Sequence, residues 1–207
     1  MISLSDETKS LLDRILAAAV TDGKVLAVSF AVTTAEEEIY IGHAGTKATH
    51  KSTGDVDNNS MYWMCSMAKI VPCIALLQMI ESGLFSYDTP VEELLPELRD
   101  PVVITPDTDG TTYRPAENKI LMKHLLNHSS GLSYAIPFYE GAHRVESLPW
   151  PYQAAAFEGY GWAGIYGFLD PDTGIAAMYA TQVLPTRDTE VVALFERLEE
   201  TIYKAVG

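Results

Sequence analysis

Two pairs of strand-like runs, one near each end of the chain, constrain its fold more than any other feature. Residues 24–34 (KVLAVSFAVTT) and 38–43 (EIYIGH) are rich in β-branched and aromatic side chains and flank an acidic turn, which predicts a hairpin. Strand character returns in WAGIYGFLD and GIAAMYATQVLP, joined by the turn Asp170 to Gly174. Helical spacing surrounds and separates these hairpins. Ser5 is placed to cap a helix carrying Leu11, Leu12, Ile15, Leu16 and Ala19, and Asp188 or Thr189 to cap a last one carrying Val192, Phe195, Leu198 and Ile202. Between the hairpins, residues 66–82 form an apolar rod expected to be largely buried and stopped by Gly83, and KILMKHLLNHSSGL predicts a second buried helix ending at Gly131. A short acidic helix is expected in DTPVEELLPEL and a loop around Asp107 to Gly110. The order helix, hairpin, helices, hairpin, helix predicts an α+β fold with an antiparallel sheet flanked by helices.

Charge and motif content narrow the function. The formal net charge is −14 with no basic stripe, so donors for nucleic-acid phosphates are lacking and nucleic acid is not an expected partner. The same acidity repels anionic membrane surfaces, and no apolar run approaches the ~20 residues of a spanning helix. The start MISLSDETKS lacks the charged and apolar regions of a leader, so a cytoplasmic protein is expected. Cys65 and Cys73, eight apart on one predicted helix, are too far apart to bridge and are expected as thiols. His43, His50, His124, His128 and His143 have no metal-ligand spacing, so no metal and no cofactor are expected; His124 and His128 are read as structural.

One quartet carries chemistry. In Ser66-Met67-Ala68-Lys69 the hydroxyl and the amine are three residues apart, on one helix face. A serine becomes nucleophilic when a neighbouring base takes its proton. At the start of a helix its oxygen would also meet free backbone N–H groups. Partial burial by Trp63, Met67 and Ile70 is expected to depress the lysine pKa toward that of a working base.

Such a quartet recurs by chance, and its surroundings are what make it specific. The run MYWMCSMAKIVPCIALLQMIESGLFSYDTPVEELLPEL resembles the nucleophile helix of class C β-lactamases, D-alanyl-D-alanine carboxypeptidases and related serine esterases. ILMKHLLNHSSGLSY is similar to that family's helix and Ser-Gly-Leu turn, and WAGIYGFLDPDTGIAAMYATQVLP to its final strand pair. The chain is therefore identified as similar to the serine β-lactamase and penicillin-binding protein family, in its esterase and transesterase branch. The resemblance implies a shortened β-lactamase/transpeptidase-like fold, taken as one domain over 1–207, with 135–160 a linker replacing the family's middle block. It implies Ser66 as acyl-accepting nucleophile and Lys69 as proton partner. It places Trp162-Ala163-Gly164 at the family's Lys-Thr-Gly or Trp-x-Gly strand, with the N–H groups of Ile165 and Ser66 as oxyanion donors and Tyr134 bordering the acyl pocket. The family's Tyr-x-Asn motif is absent, which leaves Tyr134, Tyr139 and Tyr152 as candidates for the third group.

The expected function is acyl transfer from a small hydrophobic ester or thioester, through an acyl-Ser66, to water or an alcohol in secondary metabolism. Two alternatives stand beside it: a silent family remnant that binds a ligand or partner, and a biosynthetic enzyme of different chemistry in the rebuilt cleft. A shortened sheet with an open edge and helices without cover further predict a homo-oligomer.

Overall fold

The computed structural model describes residues 2–49, 53–107, 110–132 and 157–207. In chain order its elements are α1 (Asp6–Thr21), β1 (Ala27–Thr33), β2 (Glu38–Gly45), a 3-10 turn (Cys65–Lys69), α2 (Ile70–Glu81), β3 (Val102–Asp107), β4 (Gly110–Pro115), α3 (Met122–Leu126), β5 (Phe157–Gly161), β6 (Ile165–Asp170), β7 (Ile175–Ala180) and α4 (Thr189–Val206). The chain divides into two compact units: Met1–Lys69 with Leu148–Gly207, and Ile70–Ser147.

The first unit is the antiparallel sheet. Its strand order is β2-β1-β7-β6-β5, so the two terminal hairpins join where β1 pairs with β7, Ser29 opposite Ala180 and Val32 opposite Ala177. Alternation sorts the side chains by face. Val28, Phe30 and Val32 of β1 enter one core with Tyr166 and Phe168 of β6 and Ala177 and Tyr179 of β7. Leu12, Ile15, Leu16 and Ala19 of α1 and Val191, Leu194, Phe195, Leu198 and Ile202 of α4 cover that face. Each large side chain taken wholly out of water there contributes about 1.5–3 kcal/mol. At the centre the ring of Phe195 stacks on Tyr166 at 5.5 Å and tilts against Tyr179 at 5.5 Å. Both helices begin as expected: Ser5 Oγ accepts from Thr8 N, and Asp188 accepts from the N–H groups of Glu190 and Val191.

The sheet's other face carries the Ser66 turn. A Cβ added to Gly167, which lies between the core residues Tyr166 and Phe168 and so points away from them, would come 3.1 Å from the Met67 methyl. The structure also adds a strand that the sequence reading placed in a linker: residues 157–161 form β5, the sheet's edge beyond β6. The loop of residues 162–164 joins β5 and β6 with Gly164 at φ 63°, the left-handed third position typical of three-residue hairpin loops. The remainder of the expected linker, 135–156, lies outside the described residues.

The second unit departs further from expectation. Apolar α2 has no buried residue, and Val71 is 63 % exposed. Within this unit the other described elements are 3-10 turns, a hairpin and a short helix. DTPVEELLPEL forms two 3-10 turns, Val91–Glu93 and Pro96–Leu98, because Pro96 removes a donor from any longer helix. Asp107 pairs with Gly110 at the end of the β3–β4 ladder, and residues 108–109 of the loop expected there lie outside the described residues. Helix α3 spans only Met122–Leu126 and stops before His128, which is left-handed at φ 59°. His124 is structural: its Nδ1 accepts the Leu121 N–H at 3.1 Å.

Candidate active site

Ser66 and Lys69 lie in a 3-10 turn ahead of α2. Pro72 accounts for this, since its ring clashes with the carbonyl of the residue four positions earlier, Ala68, and an α-helix cannot run unbroken from Ser66 through Pro72. The segment before it tightens instead. The turn is entered through Cys65, left-handed at φ 51°, and its first bond runs from Met67 N to Met64 O at 3.1 Å. In a 3-10 turn residues three apart eclipse one another. Lys69 Nζ accordingly donates to Ser66 Oγ at 3.1 Å.

Both side chains are exposed. The apolar enclosure expected for Lys69 is therefore not formed among the described residues: Trp63 is 65 % and Ile70 46 % exposed. A hydroxyl open to solvent with an amine in hydrogen-bond contact can accept an acyl group from an incoming ester. Cys65 and Cys73 are free thiols.

The edge strand β5 packs against the turn. A Cβ on Gly161 would lie 2.5 Å from Met64 O and 3.3 Å from Cys65 Cβ, so only glycine permits this approach of strand to nucleophile segment. The expected oxyanion donor is displaced, however. Thr181 N donates to Gly164 O at 3.1 Å, which makes Ile165 and Ala180 a non-bonded pair of the ladder. The N–H of Ile165 then faces Gly161 on β5, inside the sheet, and Ile165 is wholly buried. Among the described residues the open edge belongs to β5, where alternation turns the Tyr160 N–H outward.

The remaining expected site residues separate. Trp162 is half exposed and meets Trp63 edge to face, with centroids 6.0 Å apart. Gly164 is a turn residue rather than a surface: its carbonyl accepts from Thr181 Oγ1 at 3.0 Å, and a Cβ there would lie 2.6 Å from that oxygen. Tyr134, Tyr139 and Tyr152 lie outside the described residues.

Sequence reasoning missed a polar chain behind the turn. Tyr62 Oη lies 2.6 Å from Ser29 Oγ, which lies 2.7 Å from His43 Nδ1, while His43 Nε2 contacts Asn58 Oδ1. Burial raises the Tyr62 pKa above its usual value; the Ser29 contact opposes this and the Asp57 charge adds to it. The available signal was cross-strand position, for Ser29 and His43 are register partners on β1 and β2 and are polar on the face opposite the core. No group of three or more His, Cys, Asp or Glu side chains suited to a metal gathers among the described residues, and no described helix is long and apolar enough to cross a membrane.

An antiparallel sheet with helices on one face and a turn carrying a Ser-x-x-Lys motif on the other defines an α+β protein. The chain belongs to the Beta-lactamase family, whose profile matches residues 12–146. It is 34 % identical over 113 residues to Acyltransferase calJ of Penicillium decumbens, covering 54 % of this chain and 26 % of that protein. It is 31 % identical over 129 residues to Lovastatin esterase of Penicillium rubens, covering 59 % of this chain and 32 % of that protein. The matches thus span about a quarter to a third of these curated relatives' length. Unliganded Simvastatin Synthase (LovD) from Aspergillus terreus is similar in fold, with a TM-score of 0.78 at 14 % identity over 96 % of this chain and 98 % of that one.

Proposed function

We propose that the chain is a serine-dependent acyl-transfer enzyme, an esterase or transesterase acting on a small hydrophobic ester or thioester of secondary metabolism. The observation that carries this reading is the 3.1 Å contact between Lys69 Nζ and Ser66 Oγ on an exposed turn beside a sheet edge. In the first half-reaction unprotonated Lys69 takes the Ser66 proton, Ser66 Oγ bonds to the acyl carbon, and the bond to the leaving alcohol or thiol breaks as that group receives the proton. In the second, water or an alcohol gives its proton to Lys69 and bonds to the acyl carbon, the bond from that carbon to Ser66 Oγ breaks as the oxygen takes the proton back, and the acid or new ester leaves. The Ser66 N–H and an outward amide of β5 are the donors proposed for the oxyanion, in place of Ile165. The exposed Trp63–Trp162 pair offers an apolar platform for the acyl chain. The acyltransferase and esterase names of the relatives support the same class.

The reading also takes both units as one shortened domain, cytoplasmic and self-associating, the exposed apolar side chains of α2 supporting the last point. A second reading, a silent remnant that binds a ligand or partner, is favoured by the exposure of Lys69 and of Trp63 and Ile70, which were expected to enclose it. The two separate on incubation with p-nitrophenyl butyrate and a fluorophosphonate probe. The enzyme reading expects a mass adduct on Ser66, lost in Ser66→Ala and slowed about 100-fold or more in Lys69→Met. An unlabelled wild-type protein overturns it.

A further inference from the structure

The three residues that lead into the Ser66 turn are each anchored to the sheet by a different device. Tyr62 is held through its hydroxyl by Ser29, and Met64 is held by the close approach of Gly161. Trp63 is held through its main chain by a side chain 119 residues away. Gln182 Oε1 accepts the Trp63 N–H at 2.8 Å, and Gln182 Nε2 donates to Trp63 O at 3.2 Å. The same nitrogen donates to Ala163 O at 3.3 Å. A primary amide has two donors and one acceptor oxygen. All three functions of Gln182 are spent on backbone, none on another side chain. The amide bonds both main-chain groups of Trp63, as an opposing residue would in a strand pair, and with its second hydrogen reaches the β5–β6 loop.

The backbone of Gln182 points the same way. It sits at φ 62°, a left-handed conformation that a non-glycine residue keeps when its surroundings hold it there. That conformation takes the chain out of β7 just after Thr181, whose hydroxyl and N–H both bond Gly164 O. Thr181 therefore holds one end of the β5–β6 loop and Gln182 the middle of it together with the nucleophile segment.

We propose that Gln182 is a positioning residue that sets the register between the Ser66 turn and the β5–β6 loop, and so the distance between nucleophile and sheet edge. It touches neither the serine nor a substrate and acts through the Trp63 peptide. The inference rests on Ser66 as nucleophile, and its test keeps the two failures apart. Gln182→Met keeps the length and loses every hydrogen bond. Gln182→Glu keeps the acceptor for Trp63 N–H and loses both donors. Fluorophosphonate labelling of Ser66 is expected to slow about 10- to 100-fold in Gln182→Met, as for a misplacement of about 1 Å, and by less in Gln182→Glu. Melting temperature should change little, and amide exchange should rise at 62–66 and 161–164 in Gln182→Met. Labelling at the wild-type rate, loss only in proportion to unfolding, or unchanged exchange in these segments overturns the proposal. If wild-type Ser66 takes no label, the acyl-transfer reading fails and exchange alone decides: a rise confined to these two segments sustains the brace, and no rise ends it.

Discussion

A single carboxylate shows how this protein uses buried polarity. Asp170 is 8 % exposed at the end of β6. Burial opposes its charge, but hydrogen bonds from the hydroxyls of Thr173 and Tyr203 and from the N–H groups of Asp172 and Thr173 outweigh it and hold its pKa below the usual value of 3.8. The folded form thus releases its proton at lower pH than the unfolded form. On acidification below about pH 4 the unfolded state binds more protons, so the Asp170 contribution is complete above that pH and is lost as pH falls through the depressed pKa. Asp170→Asn should cost about 1–3 kcal/mol at neutral pH and flatten the acid limb of the stability profile, measured as urea midpoint against pH. An unchanged acid limb counts against this account. At the same scale the Ser66–Lys69 pair was legible in the sequence, because contact between residues three apart needs only local backbone geometry.

Among the elements, the 3-10 turn and β5 matter most, and both were obscured by individual residues. Pro72 converts what the apolar spacing reads as one continuous helix into a turn followed by a helix. β5 reads as FEGYG, whose two glycines weaken any strand signal, yet one of them is what admits the nucleophile segment. Gly161→Ala should therefore push Met64 and the Ser66 turn from the sheet edge. Its labelling rate at Ser66 should fall about 10-fold or more, a larger proportional loss than the shift in denaturant midpoint predicts. Equal labelling with wild-type stability would mean that the approach has no bearing on reactivity. The terminal helices were easier to read, since Ser5 and Asp188 cap through atoms within three residues of themselves.

Across the molecule, the sheet is closed by strands drawn from the two ends of the chain, with α1 and α4 on its core face. On the proposed reading of self-association, the exposed apolar side chains of α2, Ile74, Leu77 and Met79 each at least 40 % exposed among them, are what a second copy would cover. The chain of residues 1–207 should sediment as a dimer or larger species at micromolar concentration, and substitution of Val71 and Ile74 by Lys should shift it toward monomer. A wild-type chain that sediments as a monomer removes the case for self-association.

From residues alone came the α+β class, both terminal hairpins, the capped helices and the serine–lysine pair, because each depends on side-chain period or on groups a few positions apart. Tertiary structure decided that β1 meets β7, that β5 rather than β6 is the edge beside Ser66, and that Gln182 binds the backbone of Trp63. Those facts depend on hydrogen bonds between segments up to about 150 residues apart, and a ladder bond, being made between peptide groups, leaves no mark on the identity of the residues that form it. The exposure of Lys69 and α2 was decided there too, since burial is a property of what comes to lie alongside.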